Sequence, residues 1–192
     1  MEQVSELVAR SFCTPSDEVA SWIYAGHPRA VELAVRLFRF FVWSLPPGAQ
    51  VYQNEGGVAV WFPPGIHERG LLDTLASGLL EMLIRSGFRH ARRLWYVLCS
   101  IDNIVESRHQ PDWWYLHLMA VDPDHRGEGY ADQLIRPVIE EVDLAGGTIA
   151  LITQKKSNVR FYERYGFQVA EETPLQATPI RFWFMVRNSH HT

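Results

Sequence analysis

Hydrophobic residues recur every three or four positions in the first part of the chain, and this spacing predicts two amphipathic helices. The first covers residues 4–12 and the second covers residues 30–42. Thr14-Pro15-Ser16 follows the first helix and Pro46-Pro47-Gly48 follows the second, and proline ends a helix because it lacks the backbone N–H. Each helix has one apolar side, which indicates that it packs against a core.

Short apolar runs bounded by turn residues predict the strands of a sheet. Residues 50–54 and 58–62 form a hairpin pattern around the turn Glu55-Gly56-Gly57. Residues 113–121 are a nearly continuous apolar run with a proline near each end, which is typical of a buried central strand. Three further runs predict strands at 148–153, 167–171 and 180–187.

The other hydrophobic patterns are helical. Residues 67–108 predict two helical pieces broken near Ser86-Gly87, and residues 129–145 and 158–165 predict two more helices that glycines end. The apolar content of 67–108 is high enough for a core, a substrate-pocket wall or a homodimer contact. Because the chain shows no internal repeat and no linker, one α/β domain over residues 1–192 is the simplest organisation.

Composition removes several classes of function. The 192 residues are 47% hydrophobic and 21% charged, with a net charge of −4, and this balance favours neither nucleic acid nor an anionic membrane as a partner. Cys13 and Cys99 form no C-x-x-C pair, and the histidines show no metal-ligand spacing, so we expect no metal site. No secretory signal and no apolar run of membrane-spanning length are visible, so we expect a cytoplasmic protein.

The candidate chemistry lies in residues 121–131, VDPDHRGEGYA, between a predicted strand and a predicted helix. Gly127 and Gly129 lack side chains, so the backbone can approach a bound anion closely. The first N–H groups of the following helix would point at that anion, and the helix dipole adds partial positive charge there. This geometry suits a pyrophosphate.

Three interpretations of the glycine loop compete. It can be a strand–helix connection without a ligand, since two glycines alone are weak evidence. A dinucleotide site would need glycine or alanine where Asp132 stands and an acidic residue about 20 positions later, and the strand at 148–153 has none. A nucleoside-triphosphate loop would need G-K-[ST], which is absent. The third interpretation is coenzyme A.

Two motifs resemble the GNAT superfamily of N-acetyltransferases. Arg126, Gly129 and Ala131 match the family pattern Q/R-x-x-G-x-G/A after a strand. Further along, residues 161–167, FYERYGF, match the family's aromatic-Tyr pair, short gap and Gly-Phe. Within the superfamily, the sequence around Trp114-Tyr115-Leu116 is similar to the puromycin N-acetyltransferase-like branch, which implies a small-molecule amine as acceptor.

The resemblance implies a single GNAT-like domain: a central mixed, mostly antiparallel sheet flanked by helices, with a helical insertion at about 67–108. Its acetyl-CoA-binding core would cover residues 113–187. The cosubstrate would be acetyl-CoA, with no metal. The backbone of three strand residues would pair with the pantetheine arm, and the backbone of the loop after Arg126 would hold the pyrophosphate; these residues are Met119, Ala120 and Val121, then Gly127, Glu128, Gly129, Tyr130, Ala131 and Asp132.

By the same resemblance, Tyr162 would give a proton to the departing coenzyme A thiolate, which is help that a thiol with a pKa near 8.5 can use. His117 is the candidate general base, because period-2 alternation puts it on the same strand face as Tyr115 and Met119. A partly buried structural histidine is the competing interpretation. Asn158 is either a coenzyme contact or the N-cap of the following helix.

The predicted activity is therefore acetyl transfer from acetyl-CoA to a primary amine of a small molecule by direct attack. Two rival functions share the fold. In one the acceptor is an amino group of a protein or peptide, which calls for an open, acidic groove. In the other the protein binds acyl-CoA without catalysis, and residues 67–108 provide a surface for a partner, which an exposed apolar patch would reveal.

Overall fold

The computed structural model describes residues 2–12, 17–66 and 79–189. These residues form one six-stranded sheet with the order β1-β2-β3-β4-β6-β5. All the strands expected from the sequence are present, with ends that differ by a few residues. Their bounds are β1 Gln50–Gln53, β2 Gly57–Phe62, β3 Trp114–Val121, β4 Thr148–Thr153, β5 Gln168–Pro174 and β6 Arg181–Asn188.

Six α-helices accompany the sheet within the described residues: α1 Glu2–Phe12, α2 Glu18–Ile23, α3 Ala30–Trp43, α4 Leu80–Arg108, α5 Tyr130–Ala145 and α6 Lys156–Glu163. The predicted break near Ser86-Gly87 is confirmed, because Gly87 has a φ of 74° inside α4. The part of the predicted helical region at 67–78 lies outside the described residues. Helix α2 was not predicted from the sequence.

The sheet is mixed and mostly antiparallel, as predicted, because β3 and β4 are its one parallel pair in the described residues. These two strands pair only from Trp114 to Leu116 on β3 and from Ile149 to Leu151 on β4. Beyond those residues each strand continues without the other, so a cleft opens between their carboxyl ends. The topology places the residue runs after both strands at the mouth of this cleft.

A β-bulge in β3 changes which side chains share a face. Val60 pairs with Leu118 and Trp61 pairs with Leu116, so His117 is the extra residue. His117 stacks on Phe62 at 4.6 Å between ring centroids. The prediction that His117 shares a face with Met119 is therefore wrong, because strict alternation does not continue through a bulge.

Two main hydrophobic clusters cover the two faces of the sheet. Residues from α2, α3 and α4 pack with Phe62 and Tyr115 on one face. Residues from α5 and α6 pack with Trp61 and Trp114 on the other. A third, smaller cluster joins α1 and α3 to β2 and β3, with Val8 fully buried. Packed helices thus cover both faces of the sheet in which the cleft opens.

Arg187 links three elements that surround the cleft. Its side chain is 5% exposed and donates to both carboxylate oxygens of Asp143 on α5, at 2.6 and 2.7 Å. Its Nε donates to the carbonyl of Tyr165 at 2.7 Å. Through these hydrogen bonds, Arg187 joins the end of β6 to α5 and to the turn after α6.

Replacing Arg187 with methionine should lower the free energy of unfolding by about 2–3 kcal/mol, because it removes the buried guanidinium that donates to the Asp143 carboxylate and to the Tyr165 carbonyl. The figure is at the low end for a broken buried pair, since the Asp143 side chain is 35% exposed. Urea denaturation measures the change. Arg36→Met is the matched control: Arg36 and Glu32 are each 45% exposed, so this variant should unfold like the wild type. Equal free energies of unfolding for Arg187→Met and Arg36→Met would show that the buried Arg187 side chain does not stabilise the fold.

Candidate active site

A cavity of about 1140 Å³ occupies the cleft between β3 and β4. One wall is the end of β3 and the loop that follows it, and the other is the segment after β4 together with α6. Phe12, Glu18 and Trp183 also line the cavity. A cavity of this size accommodates a large, extended small molecule.

The edge of β3 that faces the cleft offers backbone groups to a ligand. Because the N–H of Asp122 donates to the carbonyl of Gly56, the antiparallel pattern directs the backbone of Ala120 toward β2 and that of Met119 and Val121 toward the cleft. Ala120 lines the cavity, but its backbone groups point toward β2, and its contact with a ligand stays a prediction. The carbonyl of Val121 already accepts a hydrogen bond from Ser11 Oγ at 3.0 Å. The backbone groups of Met119 and the N–H of Val121 therefore remain available to a ligand along this edge of β3.

The loop between β3 and α5 has the conformation that its glycines permit. It begins with a short 3₁₀ turn, Pro123–His125, capped by the side chain of Asp122. Gly127 and Gly129 follow with φ values of 89° and 84°, which residues with a side chain rarely adopt. An added Cβ at either glycine would meet nothing within 4 Å, so the space above the loop is open.

The backbone N–H groups of residues 127–131 donate to no backbone carbonyl in the described part of the chain. The N–H of Asp132 donates to the carbonyl of Gly129 at 3.1 Å, and its role as an amide donor to the anion stays a prediction. The loop thus presents five consecutive N–H groups at the N-terminus of α5, which is the arrangement that binds phosphate groups in many proteins.

The β1–β2 hairpin supports this loop from behind. The side-chain amide of Asn54 donates to the carbonyl of Tyr130 at 3.0 Å and to Gln133 Oε1 at 3.2 Å. The ring of Tyr130 lies against Gly56, where a Cβ would come within 2.3 Å of it. Arg10 of α1 forms an ion pair with Asp122 at the start of the loop. The loop is therefore held in place before any ligand arrives.

Basic side chains surround the loop and the opposite wall. Arg126, Lys155, Lys156 and Arg164 all line the cavity. Arg126 and Arg164 belong to the two recognised motifs, but only Arg126 was assigned to the site, so sequence reasoning missed the other three. Together with the N–H groups of the loop, these four cations make the cavity suitable for a ligand with several phosphate groups.

Asp132 is the acidic residue on the loop side of the cavity. It pairs with Arg136, and it accepts a hydrogen bond from the Tyr165 hydroxyl at 2.6 Å. Arg136 first, and then Tyr165, lower the pKa of the Asp132 carboxyl. Burial and the bond to Asp132 raise the pKa of Tyr165 to about 12. The Tyr165 hydroxyl is thus occupied by a structural hydrogen bond.

Tyr162 lies on α6 and lines the same cavity as the glycine loop. It is 7% exposed, and its ring packs against Phe161 and Phe167. Burial raises its pKa well above the ordinary tyrosine value, so the hydroxyl is protonated throughout the physiological pH range. The two sequence motifs are therefore brought together around one cavity, as expected.

Residues 90–169 match the family model of the GNAT acetyltransferase domain. That range contains β3, the glycine loop, α5, β4 and Tyr162. The chain has a GNAT-like domain. The match does not distinguish branches of the superfamily.

Solved structures agree with this GNAT-like fold. A structure described as histone acetyltransferase HPA2 and related acetyltransferase from Corynebacterium glutamicum superposes with a TM-score of 0.62 at 14% identity, covering 100% of this chain and 92% of that chain. An N-acetyltransferase from Staphylococcus aureus superposes with a TM-score of 0.56 at 13% identity, covering 96% and 93%. At these identities the likeness concerns the fold alone.

Two curated relatives share 27% identity with the GNAT-like chain. An uncharacterised N-acetyltransferase of Schizosaccharomyces pombe matches over 143 residues, which are 71% of this chain and 58% of the relative. A probable serine/threonine-protein kinase of Dictyostelium discoideum matches over 142 residues, which are 71% of this chain and 15% of the relative. The chain therefore spans less than two thirds of the length of either relative.

The remaining predicted site residues have mixed outcomes in the GNAT-like domain. Asn158 lines the cavity, but it lies inside α6 and donates to Thr153 Oγ1 at 3.2 Å, so the N-cap interpretation is wrong; Lys155 occupies the cap position. The Glu128 carboxylate contacts His125 Nδ1 at 3.2 Å, and Glu128 is not among the residues that line the cavity. His117 is not among the residues of the cavity wall, and its role as a base stays a prediction.

Two features are absent from the residues that the structure describes. None of their helices is at once long and apolar enough to cross a membrane. They also contain no cluster of three or more His, Cys, Asp or Glu arranged to hold a metal ion.

Proposed function

We propose that the protein transfers an acetyl group from acetyl-CoA to a primary amine of a small molecule. The observation that carries the proposal is the shared cavity: the glycine loop, whose N–H groups at residues 127–131 bond to no backbone carbonyl among the described residues, and the buried, protonated Tyr162 line the same cleft. The GNAT-domain match over residues 90–169, which includes both features, supports it. Assignment to the puromycin N-acetyltransferase-like branch stays a prediction.

Acetyl-CoA would bind along the cleft in an extended form. Its diphosphate would accept hydrogen bonds from the N–H groups of residues 127–131, with Arg126 beside it. Its pantetheine arm would run along the open edge of β3, where Met119 and Val121 direct backbone groups into the cleft. The thioester would then lie between Met119 and Tyr162, which both line the cavity.

Transfer would proceed by direct attack. The uncharged amine nitrogen, held within about 3–3.5 Å of the thioester carbon, forms the new N–C bond. A backbone N–H on the β3 edge stabilises the oxyanion as the carbonyl electrons shift to oxygen. The C–S bond then breaks, and Tyr162 gives its proton to the departing thiolate. The nitrogen loses its extra proton to solvent, and Tyr162 regains a proton from solvent, so no side chain acts as the base.

The experiment mixes the protein with acetyl-CoA and a panel of small primary amines and follows thiol release together with the mass of the product. Calorimetry with coenzyme A measures binding separately. Thiol release that depends on the amine supports the proposal. Coenzyme binding without transfer to any small amine or to any peptide in the panel would show a binding module, and transfer to peptides alone would show a protein acceptor.

A further inference from the structure

The first part of α4 exposes large apolar side chains that the proposed chemistry does not use. Leu80, Ile84 and Phe88 are 55%, 71% and 87% exposed. Leu80 and Ile84 are four residues apart, so they lie on the same face of the helix. Phe88 follows directly after the break at Gly87. Exposed apolar side chains of this size, gathered in one short stretch, are typical of an interaction surface.

Positive charge is concentrated in the same stretch. Residues 85–93 contain four arginines and no acidic residue, although the whole chain has a net charge of −4. Two of these arginines, Arg89 and Arg92, are exposed and form no ion pair within the part of the chain that the structure describes. Arg92 lies four residues after Phe88 in the helix, so the two share a face. The exposed apolar side chains are therefore accompanied by guanidinium groups that can contact an anion.

The other two arginines of this stretch have partners within the protein. Arg85 forms an ion pair with Glu81, one turn earlier in α4. Arg93 lies over the ring of Trp22 at 4.9 Å and donates to the Trp22 carbonyl at 2.9 Å. Arg93 thus fastens this part of α4 to α2, and the unpaired positive charge stays on the outer face of the helix.

Leu80, Ile84, Phe88, Arg89 and Arg92 together make up what we call the α4 patch. Its size and shape decide which kind of partner it suits. A stable protein–protein interface uses about 20–30 residues on each side, many more than the patch contains. An anionic lipid bilayer needs no such area, because each apolar side chain that enters it and each arginine near its headgroups adds to the binding. Side chains that project from a helix also enter lipid without a matching pocket.

We propose that the α4 patch binds the surface of a membrane that contains anionic lipids. Leu80, Ile84 and Phe88 enter the boundary between the headgroups and the acyl chains, and Arg89 and Arg92 contact lipid phosphate groups. The helix lies along the membrane surface and does not cross it. None of these five residues lines the cavity, so the inference goes beyond the proposed acetyl transfer and does not depend on it.

Vesicle sedimentation tests the proposal with two lipid compositions. One is phosphatidylcholine alone, which is neutral overall, and the other adds phosphatidylserine, which is anionic. The variants are Phe88→Ser and Arg92→Gln. Leu144→Ser is the control for the first variant, because Leu144 is 91% exposed on α5. Arg160→Gln is the control for the second, because Arg160 is exposed on α6 and has no ion pair among the described residues.

We expect the wild type to bind the anionic vesicles more tightly than the neutral ones, and more weakly as the salt concentration rises. Phe88→Ser should lower the partition coefficient for anionic vesicles about tenfold, and Arg92→Gln should lower it about fivefold. Both controls should bind like the wild type, because α5 and α6 pack on the face of the sheet opposite to α4. All four variants should keep the wild-type melting temperature, since each substituted side chain is exposed.

The proposal is overturned if the wild type binds neither kind of vesicle. It is also overturned if Leu144→Ser weakens binding as much as Phe88→Ser, because the contact would then not be specific to the patch. A loss in Arg92→Gln without a loss in Phe88→Ser would show that the patch attracts an acidic partner by charge alone. Light scattering that shows a dimer of the wild type and a monomer of Phe88→Ser would assign the patch to a second copy of the chain, and would likewise overturn the proposal.

Discussion

Replacement of Tyr162 by phenylalanine should slow acetyl transfer by about 100-fold, the low end of the range for a general acid. The effect is at the low end because a coenzyme A thiolate, with a thiol pKa near 8.5, leaves fairly well without help. The variant keeps the ring that packs against Phe161 and Phe167, so folding and coenzyme binding should not change. Steady-state thiol release measures kcat, and calorimetry measures the affinity for coenzyme A.

Tyr165→Phe is the matched control for Tyr162→Phe. Both tyrosines line the cavity, but the Tyr165 hydroxyl is bound to Asp132 at 2.6 Å. Loss of that hydroxyl should leave kcat nearly unchanged. If Tyr165→Phe were the slow variant and Tyr162→Phe the normal one, the proton donor would be misassigned. Unchanged turnover in both would remove the tyrosines from the mechanism.

The parts of the fold that the sequence predicted are those with local signals. The apolar run at 113–121 predicted β3, and the glycines after it predicted a loop that could hold an anion. Tyr162 could be assigned because it belongs to a motif whose residues are close along the chain. In each case the physical cause lies within about ten residues, as for helix periods and turn glycines.

The features that the sequence did not predict depend on contacts between distant residues. The bulge at His117 is set by pairing with β2, more than fifty positions away. The assumption of strict alternation along β3 therefore placed His117 on the wrong face of the sheet. Helix α2 has six residues, too few to show a helical repeat. The basic wall at Lys155, Lys156 and Arg164 faces the loop only because β3 and β4 separate after three pairs.

Alanine at both Gly127 and Gly129 should weaken coenzyme A binding by about 100-fold. Each alanine at a φ near +85° costs about 1–2 kcal/mol, and the empty loop can avoid that cost by moving to a negative φ. Binding must then force the loop back, so the cost appears in the affinity for the coenzyme. The new methyl groups meet no protein atom within 4 Å, so overpacking is excluded as the cause. Calorimetric titration with coenzyme A measures the loss.

Gly26 and Gly65 provide a closely matched control for this double variant. Their φ values are 79° and 80°, an added Cβ meets nothing within 4 Å, and neither residue lines the cavity. Alanine at both positions carries the same backbone cost, but that cost should appear in the melting temperature while coenzyme affinity stays at the wild-type value. Equal affinity losses in the two double variants would mean that general destabilisation weakens binding. Wild-type affinity in the Gly127 and Gly129 variant would mean that the N–H groups of residues 127–131 do not hold the diphosphate.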